Sequence, residues 1–158
     1  MIVGRENEIA ILNKKLDSPK SEFVALYGRR RVGKTYLVRN LFNGKFTFQL
    51  TGLADATFKD QLTNFNMGMQ KQYPKVRKKA NSWMEAFEQI SQIAEKSKQK
   101  KKIIFIDELP WFDTARSRSI QALEHLWNSW ASARRDVLLI VCGSAASWMI
   151  NTLINNKG

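Results

Sequence analysis

Short, largely apolar runs alternate along the chain with segments whose apolar residues recur every three or four positions. Phe23-Val24-Ala25-Leu26-Tyr27 ends at Gly28, Phe46 to Leu50 ends near Gly52, Ile103-Ile104-Phe105-Ile106 ends at Asp107, and Val137 to Val141 ends at Cys142-Gly143. Apolar runs of this length predict strands buried on both faces. Between them, Ile9, Leu12 and Leu16 make one helical stripe, and Phe58, Leu62, Phe65 and Met69 a second. Trp83, Phe87, Ile90 and Ala94 make a third, and Ile120, Leu123, Trp127 and Trp130 a fourth. Ser82, with Glu85 three residues on, has the form of a capping box and starts the third helix. Alternating strands and helices predict an α/β fold: a three-layer αβα sandwich on a mostly parallel sheet. At 158 residues the chain fits one such domain, so 1–158 is expected to be a single core.

Charge changes this picture more than composition does. With 44% hydrophobic and 25% charged residues the chain is an ordinary globular one, which excludes disordered, collagenous and disulfide-scaffold classes. Its 26 Lys+Arg against 14 Asp+Glu give +12, a positive field that attracts polyanions and permits nucleic acid as a partner. Tyr73-Pro74-Lys75-Val76-Arg77-Lys78-Lys79 reads as a basic turn between two helices. The run Lys96, Lys98, Lys100, Lys101, Lys102 reads as a solvated helix end guarding the next strand against aggregation, with phosphate-backbone contact as the alternative. The single cysteine, Cys142, forms no internal disulfide, and Arg5, Glu6 and Glu8 interrupt any secretion signal, so a cytoplasmic setting is expected. The longest largely apolar stretch, Val137 to Ile150, falls short of the roughly 20 residues that span a bilayer, and no membrane span is expected.

The chemistry concentrates at strand ends. Gly28-Arg29-Arg30-Arg31-Val32-Gly33-Lys34-Thr35 satisfies G-x-x-x-x-G-K-[ST] between the first strand and a helix opening at Tyr36. In such a loop the backbone N–H groups and the helix N-terminus solvate phosphate oxygens, which makes Gly28 through Tyr36 the nucleotide-binding candidates. Lys34 brings a point charge to the terminal phosphates, and Thr35 offers a hydroxyl to Mg²⁺. A second acidic element is then required, and Asp107-Glu108 supplies it. Asp107 is the metal candidate, and Glu108 is the catalytic candidate that polarises water. Ser144, just past the fourth strand, could reach a terminal phosphate. Cys142 is expected to be a buried filler and His125 to bind no metal, since neither has partners nearby in sequence. Trp83, Trp127, Trp130 and Trp148 are expected in the core; Trp111 is expected to shape the site or face a partner.

Together these residues resemble the AAA+ class, and within it the archaeal-type ATPases near the signal-transduction ATPases with numerous domains. Val3-Gly4-Arg5-Glu6-Asn7-Glu8 is similar to that group's opening box, Tyr27 to Thr35 to its Walker A, Phe105 to Trp111 to its Walker B with a Leu-Pro-Trp extension, and Cys142-Gly143-Ser144-Ala145 to its sensor 1 region. The resemblance implies that Gly4 and Arg5 border an adenine pocket and that Ser144 is the sensor. It implies ATP as ligand, a sheet order of five, one, four, three, two, and beyond this chain a fifth strand, a helical lid and a further domain. The chain is therefore expected to be an AAA+ core lacking the last strand and lid, a fragment of a longer protein.

The function expected is Mg-ATP binding and, in the intact protein, hydrolysis that drives a regulatory switch. A nucleic-acid-dependent ATPase and a nucleotide-binding module without turnover are the alternatives. The missing C-terminal region or a partner domain would complete the site, and an oligomer is compatible with the class. Arg134 and Arg135, ahead of the fourth strand, are expected to serve a helix dipole rather than a neighbouring site.

Overall fold

A computed structural model describes residues 6–28 and 33–154. All four expected strands form: β1 (Glu22–Tyr27), β2 (Phe46–Thr51), β3 (Lys102–Asp107) and β4 (Val137–Gly143). They make one parallel sheet in the order β1-β4-β3-β2, the expected order for strands one to four. The helices are α1 (Glu6–Leu16), α2 (Lys34–Leu41), α3 (Phe58–Gln72), α4 (Trp83–Lys96), α5 (Ser119–Leu126) and the short α6 (Ala146–Met149).

The two central strands are buried along their whole length, as unbroken apolar runs require. Their side chains divide by turns between two cores. Ile103, Phe105, Leu138, Ile140 and Cys142 pack with Leu12 of α1 and with Leu37 and Val38 of α2. Ile104, Ile106, Leu139 and Val141 pack with the stripes of α3, α4 and α5, centred on Phe65, Trp83 and Ile90. Helices on both faces give the three-layer α/β sandwich. Parallel strands all end on one edge, so Tyr27, Thr51, Asp107 and Gly143 line up there: Tyr27 pairs with Gly143 and Thr51 with Asp107.

Helix starts follow local chemistry. Thr57 and Asp60 form a reciprocal capping box on α3 that the apolar pattern did not point to. At α4 Ser82 accepts from the Glu85 N–H at 3.1 Å, but the Glu85 carboxylate reaches the N–H of Asn81 instead of Ser82, so the expected box is only half formed. The fourth stripe leaves regular geometry at Trp127–Ala131, a π-helical turn.

Two expectations are corrected here. The 96–102 lysine run is not wholly solvated. Lys102 is buried and sits 3.1 Å from Asp136, while Lys101 Nζ donates to the carbonyls of Ser18, Lys20 and Arg135. Of the four tryptophans expected in the core, only Trp83 is fully buried. Trp127, Trp130 and Trp148 lie half-buried at its margin, and the indole N–H groups of Trp130 and Trp148 find Glu95 and Asp113 at 2.8 Å. An indole that can reach a carboxylate at the surface gains a hydrogen bond it would lose inside. Among the described residues, no helix is long and apolar enough to cross a membrane.

Candidate functional site

The C-terminal edge of the sheet gathers most of the described candidates. Gly28 follows β1, and Gly33 caps α2 without any side-chain acceptor, leaving the first-turn N–H groups of the helix directed to whatever lies ahead of it. Lys34 Nζ folds back to donate to the Gly28 carbonyl at 3.1 Å. One residue on, Thr35 Oγ1 donates to Asp107 Oδ2 at 2.7 Å. Arg39, further along α2, donates to Thr51 Oγ1 at 3.0 Å and ties the helix to the tip of β2. Tyr36 is exposed on α2. Candidates Gly4, Arg5, Arg29, Arg30, Arg31 and Val32 lie outside the described residues.

Asp107 is buried at the tip of β3, its second carboxylate oxygen accepting the Glu108 N–H at 2.9 Å. Glu108 has φ 55 and ψ 45, a left-handed conformation that costs a non-glycine residue about 1–2 kcal/mol. The chain thus leaves the sheet abruptly after Asp107, and Leu109–Phe112 close a 3-10 turn with Leu109 and Phe112 buried. Two glycines admit this turn. A Cβ on Gly52 would stand 2.9 Å from the Glu108 carbonyl and from the Phe112 ring; one on Gly143 would stand 2.7 Å from Pro110 Cδ. The turn is wedged between the ends of β2 and β4, where only glycine leaves room.

Gln61, on α3, holds the same turn from the side, a role the apolar stripe did not suggest. It is fully buried: Oε1 accepts the Leu53 N–H at 3.1 Å, and Nε2 donates to the carbonyls of Leu53 at 2.6 Å and Trp111 at 3.1 Å. Its signal in the sequence is a polar residue three positions after Phe58 and one before Leu62, on the helix face that packs inward. Trp111 is therefore positioned by its backbone, next to the site.

Ser144 follows β4 at the same edge and is half-buried. Cys142 is buried, and burial pushes its thiol up from the ordinary cysteine range, with Asp107 and Glu108 adding to the effect and Lys34 and Arg39 opposing it. It stays a protonated filler, as expected. His125 is exposed on α5, and no group of three or more His, Cys, Asp or Glu that could hold a metal occurs among the described residues. Arg134 sits at the opposite end of the sheet: it grips Asp136 with two 2.9 Å bonds and stacks over Trp130 at 5.4 Å. A carboxylate rather than a helix dipole holds it there.

Thr35 and Asp107 offer one hydroxyl and one carboxylate, hard oxygen donors of the kind that fit Mg²⁺.

The family of ATPase domains predominantly from Archaea matches residues 2–158. This chain belongs to that family. The chain is 31% identical over 163 residues to an uncharacterized protein of Methanocaldococcus jannaschii, MJECL04, covering 99% of this chain and 33% of that relative. It thus spans about a third of the length of that protein. A 45-residue stretch is 42% identical to an uncharacterized ATP-binding protein of the same organism, MJ0423, covering 28% of this chain and 76% of the relative. Among solved structures the domain is similar to the Walker-type ATPase PABY2304 of Pyrococcus abyssi, with a TM-score of 0.68 at 19% identity over 99% of this chain and 49% of that one. It is similar also to the ORC2 protein of Aeropyrum pernix, with a TM-score of 0.62 at 14% identity over 98% of this chain and 45% of that one. These likenesses show a shared fold, the parallel α/β sandwich described above.

Proposed function

We propose that this domain binds Mg-ATP at the C-terminal edge of its sheet and, in the intact protein, hydrolyses it, the nucleotide state acting as a regulatory switch. The observation that carries the reading is the Thr35–Asp107 hydrogen bond, which brings the hydroxyl after the P-loop lysine within 2.7 Å of the acidic strand end. Lys34 is placed to leave the Gly28 carbonyl for the terminal phosphates, while the N–H groups at the start of α2 take the remaining oxygens. Thr35 and Asp107 would hold the magnesium ion. Bound there, it would neutralise charge on the phosphate oxygens. Glu108, thrown out of the strand line by its left-handed backbone, is assigned to orient the attacking water and accept its proton. Ser144, one residue beyond β4, is assigned to contact the terminal phosphate.

Calorimetric titration with ATP and Mg²⁺, beside the Lys34→Ala variant, tests this reading. Saturable binding lost in the variant supports it, and a parent and variant that behave alike overturn it.

A further inference from the structure

The segment from Gln61 to Met84 carries Lys71, Lys75, Arg77, Lys78 and Lys79 and not one Asp or Glu. It comprises most of α3, the turn after it and the irregular stretch leading to α4. That stretch is held on a fixed frame. Asn66 of α3 donates to the Ala80 carbonyl at 3.0 Å and accepts the Ala80 N–H at 2.8 Å, and Gln89 of α4 donates to the Lys78 carbonyl at 2.9 Å. With the backbone fastened from both sides, Arg77, Lys78 and Lys79 are exposed in succession, and among the described residues no carboxylate pairs with them or with Lys75. The other lysine run behaves differently, because Lys101 and Lys102 are absorbed into the fold.

Between this stretch and α3 lies a cleft of about 160 Å³ bordered by Thr63, Gln70 and Met67, the last 67% exposed. A cleft of that size takes one planar base, with hydroxyl and amide groups for its edge and a thioether for its face. A protein interface of ordinary type has a charge-poor apolar or aromatic centre, and this surface lacks one. Exposed cations on a held backbone, beside a small hydrogen-bonding cleft, suit a chain of phosphates with bases turned out of a stack. We propose that the surface formed by α3 and residues 75–79 binds a single-stranded nucleic acid, the cations following its backbone and the cleft receiving a base.

The test needs no ATP and is independent of the ATPase reading. Anisotropy of a fluorescein-labelled, mixed-sequence DNA single strand of about 20 nucleotides is titrated with the 158-residue chain. Four contacted phosphates predict a salt slope of about −3, hence binding roughly 50-fold weaker at about 200 mM than at about 50 mM salt. Combined Arg77→Glu, Lys78→Glu and Lys79→Glu should weaken binding more than about tenfold, while Lys78→Ala alone should lower the slope by about 0.7. Lys98→Glu with Lys100→Glu, at the far end of α4 about 20 Å away, should leave binding within about twofold. Circular dichroism checks that each variant stays folded. Absence of binding at low salt, or binding that survives both the triple reversal and Lys78→Ala, overturns the proposal. Tighter binding of the matching duplex overturns the assignment to single strands.

Discussion

Thr35 Oγ1 donates a 2.7 Å hydrogen bond to Asp107 Oδ2, joining two residues 72 positions apart in sequence. The bond fixes the start of α2 against the tip of β3. If both oxygens serve magnesium, Thr35→Val and Asp107→Asn should each weaken ATP binding about tenfold or more in the presence of Mg²⁺, since contacts to charged groups contribute about 1.5–3 kcal/mol. With EDTA present the variants should approach the parent. Calorimetry with and without the chelator measures both arms, and an equal loss in each would remove the two residues from metal binding.

Glu108→Gln keeps the shape of the side chain and removes its ability to accept a proton. Nucleotide affinity should stay within about twofold while turnover of the intact protein falls by roughly 10²–10⁴, the usual worth of a general base. Phosphate release under single-turnover conditions reads this directly. A parallel fall in affinity would assign Glu108 to binding instead.

Gln61→Leu tests the side support of the Glu108 turn. The leucine fits the volume but abandons the Leu53 N–H and the carbonyls of Leu53 and Trp111, for a cost of about 2–4 kcal/mol. For a domain of this size that should lower Tm by roughly 5–12 °C in thermal denaturation. A fall under about 2 °C would mean the loop finds other partners.

Asp136 should shape the acid limb of stability. The two Arg134 bonds, with Lys102 beside them, outweigh burial and hold its carboxyl at about 2, below the usual carboxylate range. A pKa lowered by folding stabilises the native state above the unfolded value of about 4, and that contribution fades as pH falls toward about 2. Asp136→Asn also leaves the buried Lys102 without its counter-charge, a loss of about 2–4 kcal/mol at neutral pH. Urea midpoints of parent and variant should converge as pH falls from about 5 to about 2, and a constant gap would show that Asp136 does not titrate in that window.

The strands and the helical stripes were legible because each is written in consecutive or evenly spaced residues. Asp107-Glu108 was legible for the same reason, since a buried run that ends in two acids is a local signal. Features that join distant segments were not. Lys102 reads as one more lysine in a solvated run until Asp136, at the start of β4, supplies its partner. Gln61 reads as a gap in a stripe until the loops after β2 and β3 arrive on either side of it. Trp130 and Trp148 fit helical spacing, yet what places them at the margin is a carboxylate on another element.

The division of β3 between two cores carries a consequence for how the gene can vary. Odd-numbered Ile103 and Phe105 face α1 and α2, even-numbered Ile104 and Ile106 face the other helices, and Asp107 inherits the odd side, where Thr35 waits. Parity is therefore part of the site. Losing one codon within β3 would turn Asp107 away from Thr35 and send every β3 side chain beyond the deletion to the opposite core.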